Sequence, residues 1–224
     1  MSNTVIIIPS RLKAERLPNK PLKLIRNKEM ILHVYDLAVK SKVGEVLLVT
    51  PDNEIAELIK KNGGNSFVSK GNHETGTDRV FEAFKTFYSS KPKIIINLQG
   101  DMPNLNPDAI SYLGQHLNKG LCDVATLASS LKKNTEIHDR NITTGHNDSA
   151  YHHIGIYGFT NKALIKYVNL KRSKLELERD LEQMRALENN MKIHVGLVNS
   201  IPLSVDTEED LQEIKKLVEK NDKN

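Results

Sequence analysis

Val5-Ile6-Ile7-Ile8-Pro9-Ser10-Arg11, running on through Leu12-Lys13-Ala14-Glu15-Arg16-Leu17-Pro18-Asn19-Lys20-Pro21-Leu22, is the stretch from which the fold follows. Four consecutive apolar residues, three of them isoleucine, end at a proline. An unbroken apolar run of this length reads as a first strand buried on both faces. The residues after it are basic and cannot form a long helix. Arg11, Lys13, Arg16 and Lys20 share one loop, and Pro18 and Pro21 restrict its backbone. Open α/β sheets bind ligands outside the carboxyl ends of their strands. A cationic loop in that place suits an anionic partner, most simply a polyphosphate. The same charges also fit a solvated loop that only joins strand to helix.

The rest of the chain alternates in the same way. Helices are expected over 30–39, from 51 to a stop at Gly63-Gly64, over 80–87 and from Asn106, with Pro107 at its first turn. Strands are expected at Glu45–Thr50, Ser66–Val68, Lys93–Leu98, Asp123–Ala128, His153–Phe159 and Ile193–Val198. Two helical stretches, roughly 161–170 and 174–190, precede the last of these strands, and a final helix follows Thr207, where Thr207 and Asp210 resemble a capping box. Residues 132–150 are polar and show no period. Repeated βα units predict an α/β fold with a mainly parallel, twisted sheet covered by helices on both faces. No linker of biased composition interrupts the sequence. One domain over 1–224 is expected, with a first half of about 1–129 and a second of about 151–224.

Composition removes several classes. A chain of 224 residues can bury a core without staples. Its single cysteine, Cys122, excludes an internal disulfide framework and fits a reducing compartment. No apolar run approaches a membrane span, and the first strand begins too early for a signal peptide, so the cytoplasm is the expected location. The net charge of +4 is mild, part of the lysine excess lies in the last helix, and tryptophan is absent; nucleic-acid binding is not favoured.

Two aspartates stand where chemistry is expected. Asp101 follows the strand ending at Leu98, and Asp206 precedes the final helix. Paired carboxylates beside phosphate are what Mg²⁺ uses, with substrate oxygens and waters completing its shell. Asp206 also fits a helix N-cap, and Asp101 a turn residue after Gly100. The turn Thr75-Gly76-Thr77-Asp78-Arg79 offers hydroxyls, backbone N–H groups and an arginine at a helix start, which can hold a phosphate or a base. Ordinary capping by Thr75 or Thr77 fits it as well. Neither Gly-x-x-x-x-Gly-Lys-Ser/Thr nor Gly-x-Gly-x-x-Gly occurs. His138, His146, His152 and His153 cluster in sequence but lack cysteine partners and zinc-ligand spacing.

In order along the chain, Ile8-Pro9-Ser10-Arg11 through Leu22, His73 to Arg79, Asn97-Leu98-Gln99-Gly100-Asp101-Met102-Pro103, His153 to Phe159, Leu181-Glu182-Gln183-Met184-Arg185 and Val205 to Leu211 resemble the signature elements of the cytidylyltransferases that activate acidic sugars. The Leu-Glu-Gln-x-Arg and Gly-Ile-Tyr-Gly elements point to the branch acting on 3-deoxy-manno-octulosonate (Kdo). The resemblance covers nearly the whole chain. It implies a Rossmann-like nucleotidyltransferase fold of the glycosyltransferase-A type. It also implies a reaction: the anomeric hydroxyl of Kdo, an acidic eight-carbon sugar, attacks the α-phosphate of CTP. The products are pyrophosphate and CMP-Kdo for lipopolysaccharide synthesis. By this similarity Arg11 and Lys20 hold the triphosphate, and Asp101 and Asp206 ligate Mg²⁺. Ser10, Thr75, Gly76, Thr77, Arg79 and Gln99 form the nucleotide neighbourhood. His153, Tyr157, Glu182 and Gln183 form the sugar side. A homodimer is implied too. A degenerate nucleotide-binding relative and a cytidylyltransferase for another acidic sugar remain the alternatives.

The sequence departs from that pattern in places. Glu15 puts a carboxylate into the basic loop, and Arg179-Asp180 precedes Leu181 where the family has Glu-x. The family also carries a strand and an Ala-Leu-Tyr-Phe-Ser-Arg stretch before its His-x-Gly-Ile-Tyr strand. Here the short polar run Lys132 to Tyr151 stands instead, and the sugar side and subunit contact are expected to lose surface by it.

Overall fold

The computed structural model describes residues 3–89, 91–130, 142–144, 150–179 and 181–221. The apolar run Val5–Ile8 lies in strand β1 (Thr4–Pro9), every residue of which is buried. Then come the short pair β2 (Leu24–Ile25) and β3 (Lys28–Glu29), helix α1 (Met30–Lys40), β4 (Glu45–Thr50), α2 (Asn53–Lys61), β5 (Ser66–Val68) and α3 (Gly76–Thr86). The middle of the chain forms β6 (Ile94–Leu98), α4 (Pro107–Asn118), β7 (Val124–Ser130), β8 (Ile142–Thr144) and β9 (Ala150–Thr160). The chain continues through α5 (Asn161–Val168), α6 (Lys174–Arg179), α7 (Gln183–Glu188), β10 (Ile193–Val198) and α8 (Glu208–Asn221).

The main sheet runs in the order β10-β7-β9-β6-β1-β4-β5, and β8 adds to β9 off this path. Each neighbouring pair on the path is parallel except the two made by β9, which is antiparallel to both β6 and β7. The alternation of side chains along β1 decides the layers. Ile6 and Ile8 join the cluster with α1, α2 and α4, whereas Val5 and Ile7 join the cluster with α3 and α5. The chain moves from β1 to β4 and β5 on one side, then crosses back to β6 on the other. That reversal leaves a crevice at the carboxyl ends of β1 and β6.

Three differences from the sequence reading have physical causes. The helix expected over 174–190 is two short helices, α6 and α7. Arg185 makes a bidentate ion pair with Glu176: Nε donates to Oε2 at 2.7 Å and Nη2 to Oε1 at 2.5 Å. Nine residues apart on one continuous helix, these side chains would project from opposite faces; the break lets them meet. Burial alone would push Glu176 up, but the hydrogen bonds from Arg185 and Arg172 hold its carboxyl below the usual range. The Arg185 guanidinium also lies over the Tyr167 ring, 4.5 Å from its centroid. The β2–β3 hairpin was not expected; its two-residue turn, Arg26-Asn27, has both φ angles positive, at 49° and 55°. Finally, most of the polar run 132–151 lies outside the described residues, but Ile142–Thr144 in it pairs with β9.

One polar pair is built into the sheet. Thr126 Oγ1 on β7 donates to the Ile156 carbonyl at 2.8 Å, so the His153 Nε2 at 2.9 Å is its donor. The His153 ring is 8% exposed, and burial, followed by the neighbouring His152, pushes its pKa down to about 4. His153 is therefore neutral in the fold at pH 7. Because the folded pKa is depressed, its contribution to stability is complete above the ordinary value of 6.5 and is lost as pH falls toward about 4. The size is roughly 3 kcal/mol. In His153→Gln, whose amide can replace the Nε2–H donor, the melting temperature should fall less between pH 6.5 and pH 4 than in the parent. Parallel pH profiles would show that His153 protonates freely while folded.

Candidate active site

The crevice at the ends of β1 and β6 opens into a cleft of about 1110 Å³. The basic loop forms one wall, the start of α3 another, and Gln99-Gly100-Asp101 the floor, with Asp206, Arg179 and Leu181 at the rim. The loop is fixed at several points. The Leu12 N–H donates to Asp52 Oδ2 at 2.8 Å, and Leu17 is buried with Ile25, Met30, Val205, Leu211 and Ile214. Asn19 takes a left-handed conformation, φ 56°, which turns the chain into a single 3₁₀ turn at Lys20–Leu22. The floor approaches the wall closely: a Cβ on Gly100 would lie 3.2 Å from the Pro9 carbonyl oxygen and 3.1 Å from Ile31 Cδ1.

Lys20 is the centre of the charge arrangement. Its Nζ donates to Asp101 Oδ2 at 3.1 Å and to Asp206 Oδ1 at 3.0 Å, and Arg16 Nη2 lies 3.1 Å from Asp206 Oδ2. Burial would lower the Lys20 pKa, but the two carboxylates outweigh it and hold the ammonium above its usual range. Asp206 reaches this point through the backbone. The Val205 N–H donates to the Asp101 carbonyl at 2.9 Å, and the Leu203 N–H to Asn104 Oδ1 at 2.9 Å. The capping role open to Asp206 in the sequence is taken by its neighbours. Thr207 Oγ1 accepts from the Asp210 N–H at 3.2 Å, while Asp210 Oδ2 accepts from the N–H groups of Asp206 and Thr207 at 2.9 and 2.8 Å. The Asp206 carboxylate is left to the cations of the loop.

On the opposite wall Thr75 caps α3 in a capping box with Asp78. Thr75, Gly76 and Arg79 line the cleft there, as Ser10 and Arg11 do on the loop. Arg79 is 7% exposed, and its Nε has no hydrogen-bond partner among the described residues. Burial, then repulsion from Arg11, push its pKa below the usual range. A buried guanidinium with an unused donor beside a second cation favours an anion in the cleft.

Four further residues are expected on the sugar side. His153, Tyr157, Glu182 and Gln183 are not among the cleft-lining residues; they form a polar layer behind it. Tyr157 Oη donates to Gln183 Oε1 at 2.6 Å, Thr77 Oγ1 donates to Glu182 Oε2, and Tyr167 Oη donates to the Glu182 carbonyl at 2.9 Å. Burial pushes both the Glu182 carboxyl and the Tyr157 hydroxyl up. Thr77 itself is fully buried and faces this layer.

Lys13 and Arg16, cations of the basic loop, line the cleft, and Glu15 lies there with them. His73, Glu74, Arg179 and Leu181 line it too, although the sequence assigned them no individual role there. Arg179 and Leu181 flank the start of the Leu181-Glu182-Gln183 element, and that adjacency was the available signal.

Asp101 and Asp206 converge on one ammonium, so their oxygens already accept a cation between them. Among the described residues no group of three or more His, Cys, Asp or Glu side chains could hold a metal alone. Two carboxylates facing an open cleft fit Mg²⁺, which completes its shell with substrate oxygens and water.

Known proteins resemble this chain in sequence and in fold. The cytidylyltransferase family model matches residues 5–150 and 138–193, two pieces that meet within the departing polar run. The 3-deoxy-manno-octulosonate cytidylyltransferase of Bartonella tribocorum is 36% identical, covering 96% of this chain and 98% of its own. That of Rickettsia canadensis is 37% identical, covering 97% of each. The first alignment runs over 237 positions, more than the 224 residues here, so that relative carries residues this chain lacks. Among solved structures, a CMP:2-keto-3-deoxy-manno-octonic acid synthetase in complex with CTP superposes with a TM-score of 0.87 at 30% identity, over 98% of this chain and all of the other. The chain belongs to the cytidylyltransferase family, in its 3-deoxy-manno-octulosonate cytidylyltransferase branch.

Proposed function

We propose that this protein transfers the cytidylyl group of CTP to 3-deoxy-manno-octulosonate, releasing pyrophosphate and forming CMP-Kdo for lipopolysaccharide synthesis. The observation that carries the reading is the Lys20–Asp101–Asp206 junction in a cleft ringed by Arg11, Arg16 and Arg79. Carboxylates and phosphate-binding cations are interleaved there, as a metal–triphosphate substrate requires. The relatives' names supply the nucleotide and the sugar.

The cations of the loop bind the β- and γ-phosphates, where charge accumulates as the bond to the α-phosphorus breaks. Arg79 and the first N–H groups of α3 face the same anion from the other wall. Asp101 and Asp206 would hold Mg²⁺, which would supply neutralisation of phosphate charge. The sugar hydroxyl forms its bond to the α-phosphorus, the bridging oxygen leaves with pyrophosphate, and the hydroxyl proton is released. The layer containing Tyr157, Glu182 and Gln183 supports the sugar side from behind. No described helix is long and apolar enough to cross a membrane, and the cytoplasm remains the proposed location. The dimer of the family is proposed here with a reduced contact surface, because the polar run replaces the segment expected to build it.

Pyrophosphate release from CTP and Mg²⁺ with a panel of acidic sugars tests this reading. Release with Kdo alone is expected. Release with a different acidic sugar would reassign the substrate, and no release with any sugar would make the protein a nucleotide binder without turnover.

Two sets of variants test the roles in the cleft. Arg11→Ala and Lys20→Ala should each weaken CTP by roughly tenfold or more, the loss of one charged hydrogen bond, and weaken CMP far less. Equal weakening would place the triphosphate elsewhere. Asp101→Asn and Asp206→Asn should each lower Mg²⁺-dependent turnover by about a hundredfold or more. Because Thr207 caps α8, Asp206→Asn should not show the loss of about 1 kcal/mol that follows removal of a cap. Calorimetric unfolding beside the turnover assay reads both quantities, and unimpaired turnover in Asp206→Asn would remove it from the metal site.

A further inference from the structure

Asn97 is a costly residue in its place. It sits in β6, in the run Ile94-Ile95-Ile96-Asn97-Leu98, at 0% exposure, between Ile7 of β1 and Tyr157 of β9. A buried amide without partners is strongly unfavourable. Both of its polar ends are used, and both on residues of the site. Gln99 Nε2 donates to Asn97 Oδ1 at 3.1 Å, and Asn97 Nδ2 donates to Thr77 Oγ1 at 3.0 Å. Thr77 Oγ1 in turn donates a hydrogen bond to Glu182 Oε2.

The three bonds all donate in one direction, from Gln99 in the cleft to Glu182 behind it. That direction fixes the amide of Gln99. With Nε2 committed to Asn97, its Oε1 is left as the free polar atom; it accepts no hydrogen bond among the described residues. Space is reserved for this amide: a Cβ on Gly76 would come within 3.4 Å of Nε2 and 3.5 Å of Oε1, and Gly155 lies against Cγ. An acceptor turned to the cleft suits a hydroxyl donor and repels a phosphate oxygen.

We propose that Asn97 is a positioning residue that locks Gln99 with its acceptor toward the cleft, for a substrate hydroxyl, and ties that lock through Thr77 to Glu182. The hydroxyl belongs either to the ribose of the nucleotide or to the acidic sugar. The inference rests on the cytidylyltransferase reading for its substrates but not for its geometry.

The geometry is tested on the free protein. In a ¹⁵N-labelled sample, the Gln99 side-chain amide protons should exchange slowly, and Asn97→Leu should abolish that protection. Unchanged protection in Asn97→Leu overturns the proposal whether or not the protein turns over CTP. The role is tested by affinity for CTP and by kcat and KM for Kdo. Asn97→Leu should lower one of them about tenfold, the scale of one hydrogen bond. A fall in CTP affinity alone assigns the hydroxyl to the ribose. A fall in kcat/KM for Kdo at unchanged CTP affinity assigns it to the sugar. In the Gln99→Ala background Asn97→Leu should then cost almost nothing further, because the two act through one atom. A lower melting temperature with both affinities unchanged, or full additivity of the two substitutions, would reduce Asn97 to a core residue and overturn the proposal. Absence of pyrophosphate release by the parent protein would instead count against the proposed reaction, leaving CTP affinity and amide exchange to judge Asn97.

Discussion

The ammonium of Lys20 joins parts of the chain that are 81 and 186 residues away from it. Without it, Asp101 would have no cation among the described ion pairs and Asp206 only the exposed Arg16, beside the bond between the Val205 N–H and the Asp101 carbonyl. With it, the basic loop, the end of β6 and the approach to α8 form one junction. The apolar support is local: Leu17 and Ile25 from the loop and hairpin pack with Val205, Leu211 and Ile214. Packing sets where the three backbones lie, and the ion pairs set where the side chains point.

Behind that junction the protein spends buried polar groups on orientation. Asn97, Thr77 and Glu182 link β6, α3 and the approach to α7. The Glu176–Arg185 pair folds α6 back against α7, which brings Glu182 within reach of Thr77. Each of these groups would be costly unpaired. Together they make the layer behind the cleft rigid while the rim, with Arg11, Arg16 and Glu15, stays exposed. The distribution suits a site that must admit a large anion and then hold it in one geometry.

The comparisons and the fold meet at the same irregularity. Relatives over 30% identical align from end to end, yet the family model divides where the polar run stands. Within that run, β8 pairs with Ala150–His152 of β9, on the edge of β9 opposite to the one that pairs with β7. The residues that line the cleft from the first half of the chain lie upstream of it. The layer bearing Tyr157, Glu182 and Gln183 lies downstream.

The sequence alone determined the sheet and the place of the site. Uninterrupted apolar runs such as Val5–Ile8 and Ile94–Ile96 can satisfy their surroundings only as strands buried on both faces, and the basic loop after the first must lie at its carboxyl end. Those are local constraints, and local pattern records them. The tertiary structure decided what spacing leaves open. Asp206 fitted a cap until Thr207 and Asp210 were seen to fill that role and Lys20 to hold its carboxylate. The stretch 174–190 fitted one helix until the pairing of Glu176 with Arg185 required a break. The bond between the His153 ring and Thr126 was likewise not legible in the sequence. In each case the deciding partner is distant in sequence or on another element, and a residue's chemistry does not record which partner will reach it.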